Sequence, residues 1–206
     1  MPGKRSRGIS REDDSKIAFT RAAETAKLLQ HECALLLELY RKREHFPVEV
    51  ADDTQVSVPL PSSQLDTGSK LWRLHSALLQ CRALLERAIA REDEELGDGK
   101  KGEYEERRER MKNRLSYLLN HTEKLLKATD GNILAPDLEG LELNGPNVLF
   151  KLKLWVYRIY RDVEHWSKVA VTLLNELSSE NPNERQRLRR STRGRVESGS
   201  KRRKWK

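Results

Sequence analysis

Cysteine is scarce: Cys33 and Cys81 are the only two in 206 residues, too few for a disulfide framework and without the spacing of a metal knuckle. They read either as buried free thiols or as one bridge between two helices. Long apolar runs are also missing. No stretch of about 18 apolar residues occurs and mean hydropathy is −0.80, so no membrane insertion is expected. Aromatic residues make up only 6% of the chain, whereas Leu occurs 31 times and charged residues reach 35%. Sheets draw on β-branched and aromatic side chains, so leucine mixed with charge points to amphipathic helices.

The usual signatures of catalysis are absent too. His31, His45, His75, His121 and His165 are scattered, with no HExxH pair and no Glu-x-x-His couple. Gly97-x-Gly99-x-x-Gly102 follows a helical pattern and not a strand, so it reads as a turn and not as a phosphate cradle. No nucleophile, base and orienting group can be assembled. The expectation is a non-enzyme with no metal, no cofactor and no small-molecule substrate. The N-terminus, MPGKRSRGISREDDSK, is basic but has no apolar segment after it, so conventional secretion is not encoded unless translation starts upstream. The sequon Asn120-His121-Thr122 lies in a helical stretch and, without a signal peptide, reads as accidental.

What is present is helix. All 11 Gly and 7 Pro fall outside four windows, 9–46, 69–96, 103–130 and 147–181; both residues are costly in helix interiors. Within each window apolar residues recur three and four apart and so share one helix face. These stripes are Phe19, Ala22, Ala26, Leu29, Cys33, Leu36 and Tyr40; Leu71, Leu74, Leu78, Cys81, Leu85 and Ala88; Met111, Leu115, Leu118, Thr122 and Leu125; and Leu152, Trp155, Ile159, Val163, Trp166, Ala170, Leu173 and Leu177. Expected helices run about 11–43, 69–96, 103–130 and 148–179, forming a bundle over 10–181 between a disordered 1–9 and a disordered tail at 182–206. Ser10 with Asp13 resembles a capping box, Asn147 stands where it would cap the fourth helix, and Gly97, Gly131 and Pro182 follow helix ends. The acidic run Glu92-Asp93-Glu94-Glu95 sits at a helix C-terminus, where the macrodipole disfavours it, so that turn is expected to fray.

Connection lengths predict the topology. A 28-residue helix such as 69–96 is about 42 Å long. The six residues 97–102 reach only about 20 Å, so the second and third helices must run antiparallel; the 22 residues of 47–68 and the 16 of 131–146 can return along a whole helix. Long, short, long implies an all-α, up-up-down-down four-helix bundle with two long crossover loops, the arrangement of long-chain helical cytokines.

Charge is concentrated at one end. Residues 184–206 hold eleven Lys or Arg against two Glu, a charge of +9, and since the whole chain carries +8 the remainder sums to −1. The tail, including Arg185, Arg187, Arg189, Arg190, Lys201, Arg202, Arg203 and Lys204, suits a polyanion. Heparan-type glycans, nucleic acid with KRRKWK as a nuclear address, and a solvated tail without a dedicated partner are the three readings.

The fourth window begins Val148-Leu149-Phe150-Lys151-Leu152-Lys153-Leu154-Trp155, with Trp166 eleven residues later. It resembles the last helix of the ciliary neurotrophic factor and cardiotrophin branch of the interleukin-6 class cytokines. Leu36-Leu37-Glu38-Leu39-Tyr40, the stretch leading to Val58-Pro59, and Leu84-Leu85-Glu86-Arg87 resemble further parts of that family. The likeness spans roughly 17–178. It implies a monomeric ligand that assembles cell-surface receptor signalling chains of the leukaemia inhibitory factor receptor type, with Phe150 and Lys153 as the receptor contact. Lys168 is a further receptor-binding candidate, standing beside Val169, which occupies the place of a family Arg that helps engage an α-receptor; the family's Trp of the first crossover has no counterpart near Gln64-Leu65. Absence of a signal peptide is usual in that family, which implies non-classical export, with the protein cytoplasmic before release. Trp166, on the core stripe, is expected to be buried. The competing expectation is an intracellular helical adaptor or nuclear protein with a nucleic-acid-binding tail.

Overall fold

The structure, a computed structural model, describes residues 11–46, 53–95, 102–129, 141 and 143–179. All regular structure among them is helical: α1 (Arg11–Glu44), α2 (Thr67–Glu95), α3 (Glu103–Ala128) and α4 (Leu149–Ser179). Every residue of the four apolar stripes is buried. Burying a leucine contributes about 1.5–3 kcal/mol, and no single helix can bury its own stripe, so the four faces close on one another. α1 packs most extensively on α4 and also on α3, while α2 packs on α4 and α3. Consecutive helices α1 and α2, and likewise α3 and α4, therefore sit across the bundle's diagonals.

Local chemistry sets the helix ends. Asp66 caps α2: its carboxylate accepts the Ser69 N–H at 3.0 Å and the Ser69 hydroxyl at 2.6 Å, and these bonds hold its pKa below the usual carboxylate range. Glu105 reaches back to accept the Gly102 N–H at 2.8 Å at the head of α3. α1 ends at His45, whose φ of 52° is left-handed, and the Phe46 N–H returns to the Arg41 carbonyl at 3.3 Å in the manner of a Schellman turn. At the head of α4 the carbonyl of Val148 accepts the Leu152 N–H at 2.8 Å, so the capping position falls on Val148 and not on Asn147. Ser10, Gly97, Gly131 and Pro182 lie outside the described residues, as do both termini.

The acidic run corrects the expectation of fraying. α2 stays helical through Glu95 because its acids find partners, on other helices for Glu92 and Asp93 and within α2 itself for Glu94 and Glu95. Glu92 is buried and accepts the Tyr104 hydroxyl at 2.8 Å, the Tyr160 hydroxyl, and Arg108 Nη1 at 3.3 Å. Asp93 takes the other Arg108 nitrogen, and Arg91 reaches Glu94 and Glu95.

The connections are pinned by the helices they cross. The Gln55 N–H donates to Asp162 at 2.7 Å, the Ser57 N–H to Gln80 Oε1 at 3.0 Å, and Arg73 to the Leu60 carbonyl at 3.1 Å. Val56 enters the core between those bonds. Arg87 holds the second connection through the Asn144 side chain at 3.1 Å. Gly145 has a φ of 63°, and a Cβ there would come within 3.1 Å of the Trp155 ring, so two independent constraints require glycine. Cys33 and Cys81 are free and buried, and burial pushes both thiols well above their ordinary pKa.

His75 gives the bundle a pH dependence. It is buried with Nδ1 2.8 Å from the Thr122 hydroxyl, which donates its own proton to the Leu119 carbonyl at 3.0 Å. Burial lowers the His75 pKa, against a smaller opposing pull from Glu123. The unfolded chain therefore binds this proton more readily than the folded one. The stabilisation is complete above the ordinary histidine pKa of about 6.5 and is lost as pH falls through the lower folded value. His75→Gln is expected to flatten the acid-side decline of the urea midpoint below that pH. An unchanged slope would contradict the assignment.

Candidate functional site

Around the head of α4 stand three large apolar residues that the bundle leaves in water. Val148, Leu149 and Phe150 are 58%, 51% and 65% exposed, whereas the stripe that begins at Leu152 is buried. The stripe recurs at three- and four-residue steps, and Phe150 lies two positions before its first member, so the helix turns that ring away from the core. Its neighbour is Phe46, which packs partly into the core; the two ring centroids are 6.2 Å apart at an edge-on 66°.

Lys153 lies one turn further on, three residues from Phe150 and on the same side of the helix. α1 holds it by two bonds. Tyr40 donates its hydroxyl to the Lys153 carbonyl at 3.0 Å, and the ammonium pairs with Glu44 Oε2 at 2.5 Å. The Lys153 side chain is 27% exposed and that of Glu44 only 5%. Glu44 also receives Arg43 Nε at 3.3 Å, and Arg43 extends to Glu105 of α3 at 3.7 Å while lying 4.8 Å over the Tyr104 ring. Below them Tyr40 stacks on Tyr157, meets Tyr160 edge-on and faces Tyr104, and Arg41 donates to the Tyr157 hydroxyl at 2.8 Å. Desolvation drives the Tyr40 hydroxyl to a raised pKa, and the nearby carboxylates Glu92 and Glu44 add to it, so it stays a donor.

The structure brings Phe150 and Lys153 together; Lys168 is elsewhere. It lies 15 residues beyond Lys153, roughly 22 Å along the helix, half exposed and paired with Glu164 at 2.9 Å. Trp166 is buried. A separate groove runs beside it between 53–60 and the outer face of α4, lined by Val56, Val58, Leu60, Arg158 and His165. Arg158 spans that groove to Asp53 at 3.0 Å. Arg185, Arg187, Arg189, Arg190, Lys201, Arg202, Arg203 and Lys204 lie outside the described residues. Among the described residues no group of three or more His, Cys, Asp or Glu is placed to hold a metal ion, and no helix is long and apolar enough to cross a membrane.

Sequence reasoning missed Glu44 and Phe46. One signal was available for the first: a lone acid directly after Arg41-Lys42-Arg43 opposes the helix dipole at the end of α1, and such a charge calls for a partner. No protein-family model matches the chain, and no curated protein matches it.

Proposed function

We propose that the chain is a secreted helical cytokine that engages a signalling receptor chain of the leukaemia inhibitory factor receptor type through the head of α4. The observation that carries this reading is the exposure of Phe150 next to Val148 and Leu149 at a helix start. Contiguous apolar surface of this kind on a charged, water-soluble face marks an interaction site. An exposed aromatic anchor flanked by aliphatic side chains has the composition of interface hot spots. The resemblance of the stretch from Phe150 to Lys153 to the family's receptor-contact motif supplies the partner class.

The bundle's cross-links support the up-up-down-down course with two crossovers that such a ligand has. Tyr40, late in α1, meets Lys153, early in α4. Glu92, late in α2, meets Tyr104 at the head of α3 and Tyr160 in the first half of α4. His75, early in α2, meets Thr122, late in α3. Each of these pairs joins opposite ends, so α1 and α2 run against α3 and α4 in this reading. Long connections at 45–66 and 129–148 are consistent with parallel neighbours in sequence.

The test is direct. Purified protein added to cells bearing the receptor chains is expected to raise STAT phosphorylation, and Phe150→Ala to weaken binding to the immobilised receptor ectodomain by about thirtyfold, the scale of a 2 kcal/mol hot spot. Since the ring is exposed, the variant's unfolding free energy should stay within about 0.5 kcal/mol of wild type. Wild-type binding by Phe150→Ala would remove the reading.

A further inference from the structure

Lys153 does not present a free charge. Its ammonium lies 2.5 Å from a carboxylate whose side chain is only 5% exposed. That carboxylate, Glu44, sits on the unfavourable end of the α1 dipole and is nearly out of water, two costs that require cations close by. Arg43 at 3.3 Å and Lys153 supply them. Removing Lys153 would leave Glu44 with one partner, itself shared with Glu105. Residue 153 is also held through its carbonyl by Tyr40, so the last turn of α1 fastens this one position of α4 by main chain and side chain together. On the other side of the left-handed His45, Phe46 sets its ring against Phe150. The end of α1 thus grips the head of α4 at 153 and backs its exposed aromatic at 150.

From this we infer that Glu44 is the positioning residue of the α4 epitope, and that Lys153 acts through Glu44, fixing the direction in which Phe150 is presented, and not as a charge read by the partner. The inference rests on the receptor reading of Phe150 for its functional consequence, but the positioning itself has a readout that needs no receptor. An apolar anchor held in place lowers the dissociation rate, whereas a rim charge steers approach and makes the association rate depend on salt. The two roles therefore separate kinetically.

The experiment measures association and dissociation rates on the immobilised ectodomain of the leukaemia inhibitory factor receptor chain at several salt concentrations. Wild type, Glu44→Gln, Lys153→Met, the double variant and Phe150→Ala are compared. Amide hydrogen exchange at Leu152, Lys153 and Leu154 is followed in parallel without receptor. Glu44→Gln and Lys153→Met are each expected to speed dissociation about tenfold, and the double variant no more than the larger single change. The association rate and its salt dependence should be unchanged, and exchange at 152–154 should quicken about tenfold in Glu44→Gln while the α4 core from Ile159 onward keeps its protection. Multiplying effects in the double variant, a flattened salt dependence in Lys153→Met, or unaltered exchange in Glu44→Gln would each overturn the inference. Wild-type binding by Phe150→Ala together with quickened exchange would overturn the receptor reading while upholding the positioning of α4 by Glu44.

Discussion

Replacing Arg108 with leucine is expected to cost the fold about 3–5 kcal/mol at neutral pH, the scale of a buried ion pair deprived of one partner. Arg108 is itself buried and places Nη1 3.3 Å from Glu92 and Nη2 on Asp93, with its guanidinium 5.7 Å from the Tyr104 ring. Burial raises the Glu92 pKa, and the hydroxyls of Tyr160 and Tyr104, followed by Arg108, pull it back. Without Arg108 the raising effect dominates further. A carboxylate whose folded pKa lies above its unfolded value stabilises the fold most below the unfolded value, about 4.3 for glutamate, and that contribution is lost as pH rises through the folded value. The Arg108→Leu deficit should therefore shrink on acidification, because protonated Glu92 no longer needs a cation. Glu92→Gln in the same background should recover part of the loss at pH 7, since an amide still accepts from the tyrosines. Urea unfolding of the three proteins at pH 7 and pH 5 decides it. A deficit that is the same at both values would mean that Arg108 matters for packing and not for the charge of Glu92.

Trp166→Ala is the second large effect. Trp166 is 2% exposed, edge-on to His165 at 5.9 Å, and borders the groove under Val56, Val58 and Leu60. Truncation removes its whole ring from the seat of the first connection and should destabilise the protein by about 3–5 kcal/mol. Trp166→Phe should lose less, because it refills part of the space. Phe150 lies 16 residues away, roughly 24 Å along α4, so the folded fraction of Trp166→Ala should keep wild-type binding to the receptor chain proposed above. Unaltered stability combined with weakened binding would reassign Trp166 from core to contact surface.

The helical core was readable because one rule governs it. A buried helix face returns every 3.6 residues, and the stripes from Phe19 to Tyr40 and from Leu152 to Leu177 follow that period throughout. Gly and Pro mark the breaks by the same local logic. The buried charged residues were not readable. Glu92 looked like a surface acid at the wrong end of a dipole because its partners Tyr104, Arg108 and Tyr160 are 12, 16 and 68 positions away, and no local rule reaches them. The candidate site divides the same way. Phe150 was singled out by the resemblance to a family motif, and its place outside the stripe of its own helix agrees with its exposure, whereas the pairing of Glu44 with Lys153 joins two helices distant in sequence and depends on how α1 ends at His45.

The first connection is tied down by main-chain donors: Gln55 gives its N–H to Asp162 and Ser57 gives its N–H to Gln80. Every amino acid except proline carries that donor. Position 55 can therefore drift through most of the residue alphabet without loosening its tie to α4, while Asp162, the acceptor built into the helix, cannot change to an apolar residue without releasing it. Sequence variation in the loop and constancy in the helix would be two sides of one attachment.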